Sequence, residues 1–440
     1  MGGQPRGLIV LAATELAERF SYYGMTALLA LYMTKQLLLP DHAGEVIGLT
    51  GLRSVMEWRG PMPDLAFASL IYGWYGGLVY FTPILGGLIA DRLLGAKRTV
   101  TLGALLMAGG HIAMSFDASF LFALLLLIFG SGLLKGNISA QVGALYAPEA
   151  ESERSRGFTI FSTGINIGSV LGPLGSGTVA AIYGWHAGFA LAAGVMMIAL
   201  AIYLTGQRHL PDQRPVKRDR EQLPPLTSEE RTRTWALVGL IALTVLPNIA
   251  YPMIWNIGII WVDERVSLGT PLGAVPASWF NSIDSLASII VVPPLLALWA
   301  SQARRNAEPG GISKIAIACL MIGLSALLLA AGEWMVGPDG KVSVGWAIAA
   351  YFGMGAAFMW YWPILLALVS QTAPRKINAT MVSATFLSLF VGSTLMGWVG
   401  SFYAEMGKAA FWTLDAAIAF AGALIAWLVR RPLANKIGAG

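Results

Sequence analysis

Apolar segments long enough to cross a lipid bilayer recur along the whole chain, and they constrain the fold more than any other feature. A membrane-spanning helix needs about 20 predominantly apolar residues. We predict twelve such spans, at residues 8–34, 66–90, 99–116, 119–146, 157–181, 186–206, 234–261, 276–301, 312–332, 344–369, 379–403 and 409–429. Only 12% of the residues are charged, against about 25% in a typical soluble domain. The chain is therefore predicted to be an all-α integral membrane protein.

A charged, proline-rich stretch at 207–233 separates two sets of six predicted spans. Its composition is typical of a solvated linker. We predict an N-terminal six-helix bundle over 1–206, a cytoplasmic linker over 207–233 and a C-terminal six-helix bundle over 234–440. Two similar bundles about a site near the membrane midplane are the plan of many secondary transporters.

Most of the 29 Lys and Arg residues lie in segments that share one side of the membrane with this linker. Lys and Arg are enriched in cytoplasmic loops, so we expect both termini to be cytoplasmic. The net charge of +5 has the same origin and does not indicate nucleic-acid binding.

The first predicted span holds three ionisable residues within one helical turn. Glu15, Glu18 and Arg19 stand at i, i+3 and i+4 and share one helix face, which Tyr22 and Tyr23 continue. A charge at mid-membrane costs at least about 2.5–3.5 kcal/mol, so we expect this face to line a hydrated cavity. Two acids beside one base leave one carboxyl able to hold a proton, which suits proton coupling. The alternative is a buried ion pair that only locks the span to a neighbour.

Lys135, in the fourth predicted span, is a second intramembrane charge. A lone ammonium there needs a counter-charge, which Glu15 or Glu18 could supply.

The loop after the second span reads GGLIADRLLGAKR and resembles the signature of the major facilitator superfamily. Gly86 and Gly87 would permit close helix approach. The loop's charged residues can form pairs that hold an inner gate in one state, and they are Asp91, Arg92, Lys97 and Arg98. An ordinary cytoplasmic loop rich in basic residues is the alternative.

The span-one motif Glu15-x-x-Glu18-Arg19-Phe20, followed by Ser-Tyr-Tyr-Gly, resembles that of the proton-dependent oligopeptide transporter family. SGLLKGNI (131–138), FTIFSTGINIGSVLGP (158–173) and VPASWFNSI (275–283) are similar to its motifs in spans four, five and eight. The resemblance covers the N-terminal half well and thins afterwards. It implies a major facilitator fold of twelve transmembrane helices in two bundles. It also implies a proton-coupled symporter that imports di- and tripeptides by alternating access in a bacterial inner membrane.

By position, the resemblance implies a role in proton coupling for Glu15, Glu18 and Arg19. It implies that Arg19 and Lys135 attract the peptide carboxylate. Further positions that match the lining of the peptide pocket are Tyr22, Tyr23, Tyr80 and Asn166.

The C-terminal half departs from the family pattern where the peptide amino group is recognised. The usual span-ten Glu aligns with Phe358, and the usual span-eight Asn aligns with Asp284. We interpret Asp284 as a replacement acid, with a helix-end or water-facing Asp without function as the alternative. Asn281 and Asn256 could add hydrogen bonds to the substrate.

Phe358 leaves a second substrate class open, namely an anionic or zwitterionic solute other than a peptide. We find no nucleophile elbow, no His-x-x-x-His pair and no conventional nucleotide loop, so an enzyme is not expected. Selectivity rings of ion channels carry charges of one sign, whereas Glu15, Glu18 and Arg19 combine two acids with one base, which disfavours a channel. A non-transporting receptor stays open.

The histidines do not suggest a metal site. His42 and His209 fall in predicted loops, His186 begins span six, and His111 is interpreted as a hydrogen-bonded packing residue in span three. No pair has metal-ligand spacing. We therefore expect no metal or cofactor, and we expect the partners to be a small peptide-like substrate, protons as coupling ion, and the lipid bilayer.

Overall fold

The computed structural model describes residues 4–58, 60–147, 149–212, 225–271 and 273–438. The chain divides into two compact units. The first consists of Met1–Arg218 with Pro276–Ser282, and the second of Asp219–Val275 with Ile283–Gly440.

The first unit is built from helices. Its α-helices are α1 (Arg6–Tyr32), α2 (Pro40–Ala43), α3 (Leu49–Met56), α4 (Asp64–Ile89), α5 (Ala96–Ala113), α6 (Phe120–Gly143), α7 (Glu151–Tyr183) and α8 (Trp185–Gly206). Its π-helical and 3-10 turns are Met33–Leu37, Ala90–Leu94, Asp117–Ser119, Gln207–His209 and Ala277–Trp279. Within this unit α1 packs against α7 and α8, and α6 packs against α4 and α5.

The second unit is also helical, apart from one short hairpin. Its α-helices are α9 (Ser228–Leu243), α10 (Val245–Ala250), α11 (Ile259–Arg265), α12 (Phe280–Arg304), α13 (Gly311–Val336), α14 (Val344–Thr372), α15 (Asn378–Gly400) and α16 (Lys408–Ile437). The first three residues of α12 belong to the first unit. Its π-helical and 3-10 turns are Ile254–Gly258, Arg375–Ile377 and Ser401–Ala404. Strands β1 (Gly269–Thr270) and β2 (Gly273–Ala274) pair antiparallel.

Ten helices among the described residues are long and apolar enough to cross a membrane. They lie at ten of the twelve predicted positions. The other two positions hold α1 and α5, which are long helices of lower hydropathy. Glu15, Glu18 and Arg19 account for this in α1, and α5 begins with a Lys-Arg pair.

Residues 213–224 of the predicted linker lie outside the described residues. Its last part is already helical, because a capping box starts α9 at Ser228 rather than near 234. The Thr227 hydroxyl accepts a hydrogen bond from Glu230 N at 3.2 Å, and the Glu230 carboxylate accepts one from Thr227 N at 2.9 Å.

Close backbone approach fixes the position of the charged face of α1. Gly168 of α7 lies against α1, where an added Cβ would stand 2.7 Å from Arg19 Cβ. The predicted close approach at the glycine pair holds for Gly86, whose backbone lies against Gly132 of α6. It is wrong for Gly87, where a Cβ would meet no atom within 4 Å.

The predicted span at 234–261 is an interrupted helix, divided into α9, α10, the π-helical turn and α11. Pro247 and Pro252 explain the interruptions. Proline has no N–H to donate to the carbonyl four residues earlier, and its ring clashes with that carbonyl. The irregular stretch carries Tyr251 and Trp255, which reach a carboxylate on α12.

Candidate functional site

The three ionisable residues of α1 form one ion-paired cluster inside the first unit. Arg19 Nε lies 3.0 Å from Glu15 Oε1, and the same nitrogen pairs with Glu18 Oε2. The residues are 4%, 0% and 6% exposed for Glu15, Glu18 and Arg19. The predicted shared face is present. In this conformation its three ionisable side chains are buried, whereas Tyr23 is half-buried, and the hydrated cavity stays a prediction.

The cluster contains two carboxylates and one guanidinium, and it is incompletely hydrogen-bonded. Within the part of the chain that the structure describes, both Glu18 oxygens, Glu15 Oε2 and two Arg19 nitrogens have no hydrogen-bond partner. Buried charges are stabilised only when close pairing is accompanied by hydrogen bonds. The unbonded carboxylate oxygens are therefore candidate positions for a proton or another polar group.

Lys135 of α6 lies beside this cluster, over aromatic rings. Its Nζ is 4.1 Å from the centroid of the Tyr22 ring and 5.7 Å from that of Tyr80. The Arg19 guanidinium is 5.5 Å from the same Tyr22 ring, so this phenol contacts both cations. Lys135 interacts electrostatically with the three charges of α1. It forms no ion pair with any described residue, so the predicted direct pairing with Glu15 or Glu18 does not occur in this conformation.

The other predicted pocket residues of the first unit differ in exposure. Tyr23 contacts Tyr22 edge to face, with ring centroids 5.2 Å apart, and both Tyr23 and Tyr80 are half-buried. Asn166 is exposed on α7. Their pocket roles stay predictions.

Two buried tyrosines of α4 were not among the residues predicted from the sequence. Tyr75 interacts electrostatically with Glu18 and Arg19, and Tyr72 interacts with Tyr75 and Tyr80. The spacing of the three tyrosines along α4 places them on one helix face, and this pattern could have identified them.

Asp284 is a buried acid inside the second unit. It is 2% exposed, and its Oδ2 accepts hydrogen bonds from Tyr251 Oη at 3.0 Å and Trp255 Nε1 at 3.1 Å. No described residue forms an ion pair with it. Phe358 stacks on the ring of Tyr251, with centroids 5.1 Å apart and planes inclined by 23°. Asp284 therefore does not face water, although it lies near the first residue of α12. The tyrosine that donates to it stacks on the residue that aligns with the family's span-ten Glu.

Asn256 and Asn281 are both fully buried. Asn256 lies in the π-helical turn of the second unit, and its Nδ2 donates to Met396 Sδ at 3.1 Å. Asn281 belongs to the first unit, where its side-chain amide has no hydrogen-bond partner among the described residues. Substrate contacts for either residue stay a prediction.

The predicted gating residues lie around the turn between α4 and α5. Asp91, Arg92 and Arg98 are exposed, and Lys97 is half-buried. None of the four forms an ion pair with a described residue in this conformation. The latch formed by these charges stays a prediction.

Comparison with known proteins gives consistent matches over nearly the whole chain. The model of the POT family matches residues 97–222 and 226–413. The di-/tripeptide transporter of Lactococcus lactis subsp. lactis is 30% identical over 507 aligned positions, which cover 99% of this chain and 97% of that protein.

Solved structures match equally well. The crystal structure of the peptide transporter POT in complex with sulfate has a TM-score of 0.87 at 26% identity, covering 100% of this chain and 97% of that one. That of a POT family transporter in complex with 5-aminolevulinic acid has a TM-score of 0.85 at 25% identity, covering 98% of both chains.

Proposed function

The chain belongs to the POT family, and from that membership we propose that it is a symporter that imports small peptides together with protons. It has the all-α major facilitator fold of that family. The proposal places the protein as a multi-pass chain in a bacterial inner membrane, with both termini in the cytoplasm and twelve spans in two bundles. The family and the matched relatives are transporters, and the proposal gives no residue a catalytic role and requires no cofactor.

The observation that carries the proposal is the buried, incompletely hydrogen-bonded cluster of Glu15, Glu18 and Arg19. A cluster that only locked two helices together would gain stability from complete hydrogen bonding. Here two carboxylates share one guanidinium, and one of them can take up a proton without leaving Arg19 unpaired.

Lys135 supplies the second part of the mechanism. Its ammonium rests on the Tyr22 ring without a carboxylate of its own, so it is available for the carboxylate of a peptide. When that carboxylate binds Arg19 and Lys135, the attraction of Arg19 for Glu15 and Glu18 is shared with the substrate. One acid then exchanges its proton more readily, which couples peptide binding to proton movement.

Recognition of the peptide ammonium is assigned to Asp284. Its two hydrogen-bond donors are neutral, and no cation among the described residues is paired with it. A buried carboxylate in this state binds an ammonium favourably because the ligand supplies the missing positive charge. Its neighbour Tyr251 is stacked on Phe358, the residue that aligns with the family's span-ten Glu. In this proposal the amine-binding acid is therefore moved from span ten to Asp284 and is not lost.

A non-peptide substrate with an amine and a carboxylate is the second candidate. Phe358 favours it, because the residue aligned with the family's usual amine-binding acid is apolar. The matched transporter in complex with 5-aminolevulinic acid shows that a POT family member binds such a compound.

Uptake by the full-length protein in proteoliposomes tests both candidates. We expect labelled di-alanine to accumulate when the outside is acidic and only to equilibrate when the gradient is dissipated. Equal uptake with and without the gradient would exclude proton coupling. Transport of 5-aminolevulinic acid without transport of di-alanine would favour the second candidate.

A further inference from the structure

Asp117, the first residue of the 3-10 turn before α6, is the centre of a second polar cluster. This cluster contains none of the three ionisable residues of α1. Asp117 Oδ1 accepts hydrogen bonds from the Tyr32 hydroxyl and, at 2.6 Å, from His186 Nε2. Its Oδ2 accepts hydrogen bonds from His42 Nδ1 at 2.9 Å and from Gln36 Nε2 at 3.4 Å. Only 9% of the Asp117 side chain is exposed. One nearly buried carboxylate is thus shared by two imidazoles.

The cluster joins four separate segments of the first unit. His42 lies in α2, Asp117 before α6, His186 in the first turn of α8 and Tyr32 at the end of α1. The Tyr32 ring contacts the His186 ring edge to face at 5.9 Å, and the neighbouring backbone is tied by a hydrogen bond from Ile47 N to Ala118 O at 3.1 Å. Packing therefore holds these groups together.

A second carboxylate completes a set of metal-binding atoms. His42, Glu45 and Asp117 each place a ligand atom within 4.8 Å of those of the other two. Bonds of about 2.0–2.2 Å in a tetrahedral zinc site put ligand atoms roughly 3.4 Å apart. His42 Nδ1 and Asp117 Oδ2 are 2.9 Å apart, which is within this ligand–ligand separation. The Glu45 side chain is exposed and can rotate towards them.

We propose that His42, Glu45 and Asp117 form a binding site for a divalent transition-metal ion of the Zn²⁺ class. His186 acts as a positioning residue that holds the second oxygen of Asp117. An imidazole combined with carboxylates favours Zn²⁺, whereas Mg²⁺ and Ca²⁺ prefer oxygen ligands alone. Spacings along the chain predict no metal site, because these ligands become neighbours only in the folded unit.

Zinc titration of the purified full-length protein tests this site, with any polyhistidine tag removed because such a tag binds zinc itself. Isothermal titration calorimetry with ZnCl2 should show one site per chain, and MgCl2 at the same concentrations should show none. We expect H42A and E45Q each to weaken zinc binding at least about tenfold, as the loss of even an outer-shell partner commonly does. H186A should weaken it by a similar factor or less.

Two features keep this test decisive. Glu45 is exposed, and its side chain makes no hydrogen bond or ion pair with a described residue, so E45Q should leave the metal-free melting temperature unchanged. His209, in the 3-10 turn Gln207–His209, lies outside the cluster, and H209A is the matched control that should bind zinc normally. The proposal is overturned if the wild type binds no zinc, or if H42A and E45Q bind it as tightly as H209A does. Neither result would bear on peptide transport, because binding is measured without it.

Discussion

The two units bury acidic side chains in opposite ways. In the first unit Glu15 and Glu18 share the single positive charge of Arg19, but three of their four oxygens accept no hydrogen bond among the described residues. In the second unit Asp284 accepts hydrogen bonds from Tyr251 and Trp255 but forms no ion pair with a described cation.

This difference indicates which ligand each site suits. A cluster that has its cation but lacks hydrogen bonds can exchange a proton or accept a further anion beside the cation. An acid that has its hydrogen bonds but lacks a cation can accept an ammonium. In the proposed function, the first requirement suits the carboxylate of the substrate and the second suits its ammonium.

The largest expected effect is that of E18Q. It removes the carboxylate of which neither oxygen accepts a hydrogen bond from a described residue. We expect proton-driven accumulation of di-alanine to be lost, while exchange of substrate between equal pools persists because Glu15 still pairs with Arg19. Proteoliposome uptake with a proton gradient, beside counterflow without one, measures the two activities. E153Q, at an exposed position of α7, is the control. Unimpaired accumulation by E18Q would remove the coupling role.

D284N should have the next largest effect. It removes the negative charge but keeps a side chain of the same shape beside Tyr251 and Trp255. We expect affinity for peptides with a free amino group to fall about tenfold to a hundredfold, since a hydrogen bond to a charged group contributes about 1.5–3 kcal/mol. Affinity for N-acetylated peptides should not change.

The double variant D284N/F358E sharpens this prediction. It restores an acid at the position where the family usually has one, so it should recover part of the lost affinity. A loss of the same size for acetylated and free peptides in D284N would show that Asp284 is structural.

K135A should weaken binding of substrates with a free carboxylate by roughly tenfold, at the lower end of the range for a charge-assisted hydrogen bond. The same peptides with an amidated C-terminus should lose much less. Competition of each peptide against labelled di-alanine provides the comparison. Equal losses for acids and amides would contradict carboxylate recognition by Lys135.

The smallest expected effect concerns the packing that holds the cluster. G168A places a Cβ 2.7 Å from Arg19 Cβ and should lower the free energy of unfolding by about 1–3 kcal/mol. G87A, where a Cβ meets no atom within 4 Å, is the matched control and should not lower it, because Ala replaces Gly inside α4 without a clash. Thermal unfolding in detergent would measure both, and equal melting temperatures would show that α1 and α7 can adjust.

Local features were readable from the sequence, whereas contacts between distant segments were not. The pairing of Arg19 with Glu15 follows from a spacing of four residues on one helix, which sets the geometry wherever the helix packs. The position of Lys135 over Tyr22 depends on how α6 lies beside α1, and nothing in SGLLKGNI encodes it. His42, Asp117 and His186 converge for the same reason.

Two differences from expectation did have a signal in the sequence. Thr227 and Glu230 form the capping pattern that starts α9, but the many charges around them favoured a linker. Pro247 and Pro252 indicate the interruption of the seventh predicted span, although hydropathy alone reads this stretch as continuous.

Those interruptions affect how the second unit can deform. Neither Pro247 nor Pro252 can donate to the carbonyl four residues earlier, so curvature costs less energy here than in a fully bonded helix. Tyr251 and Trp255 lie on this compliant stretch, and both reach the same Asp284 carboxylate. Bending of this stretch would therefore displace both donors. The two hydrogen bonds to Asp284 thus depend on the backbone conformation of the interrupted helix.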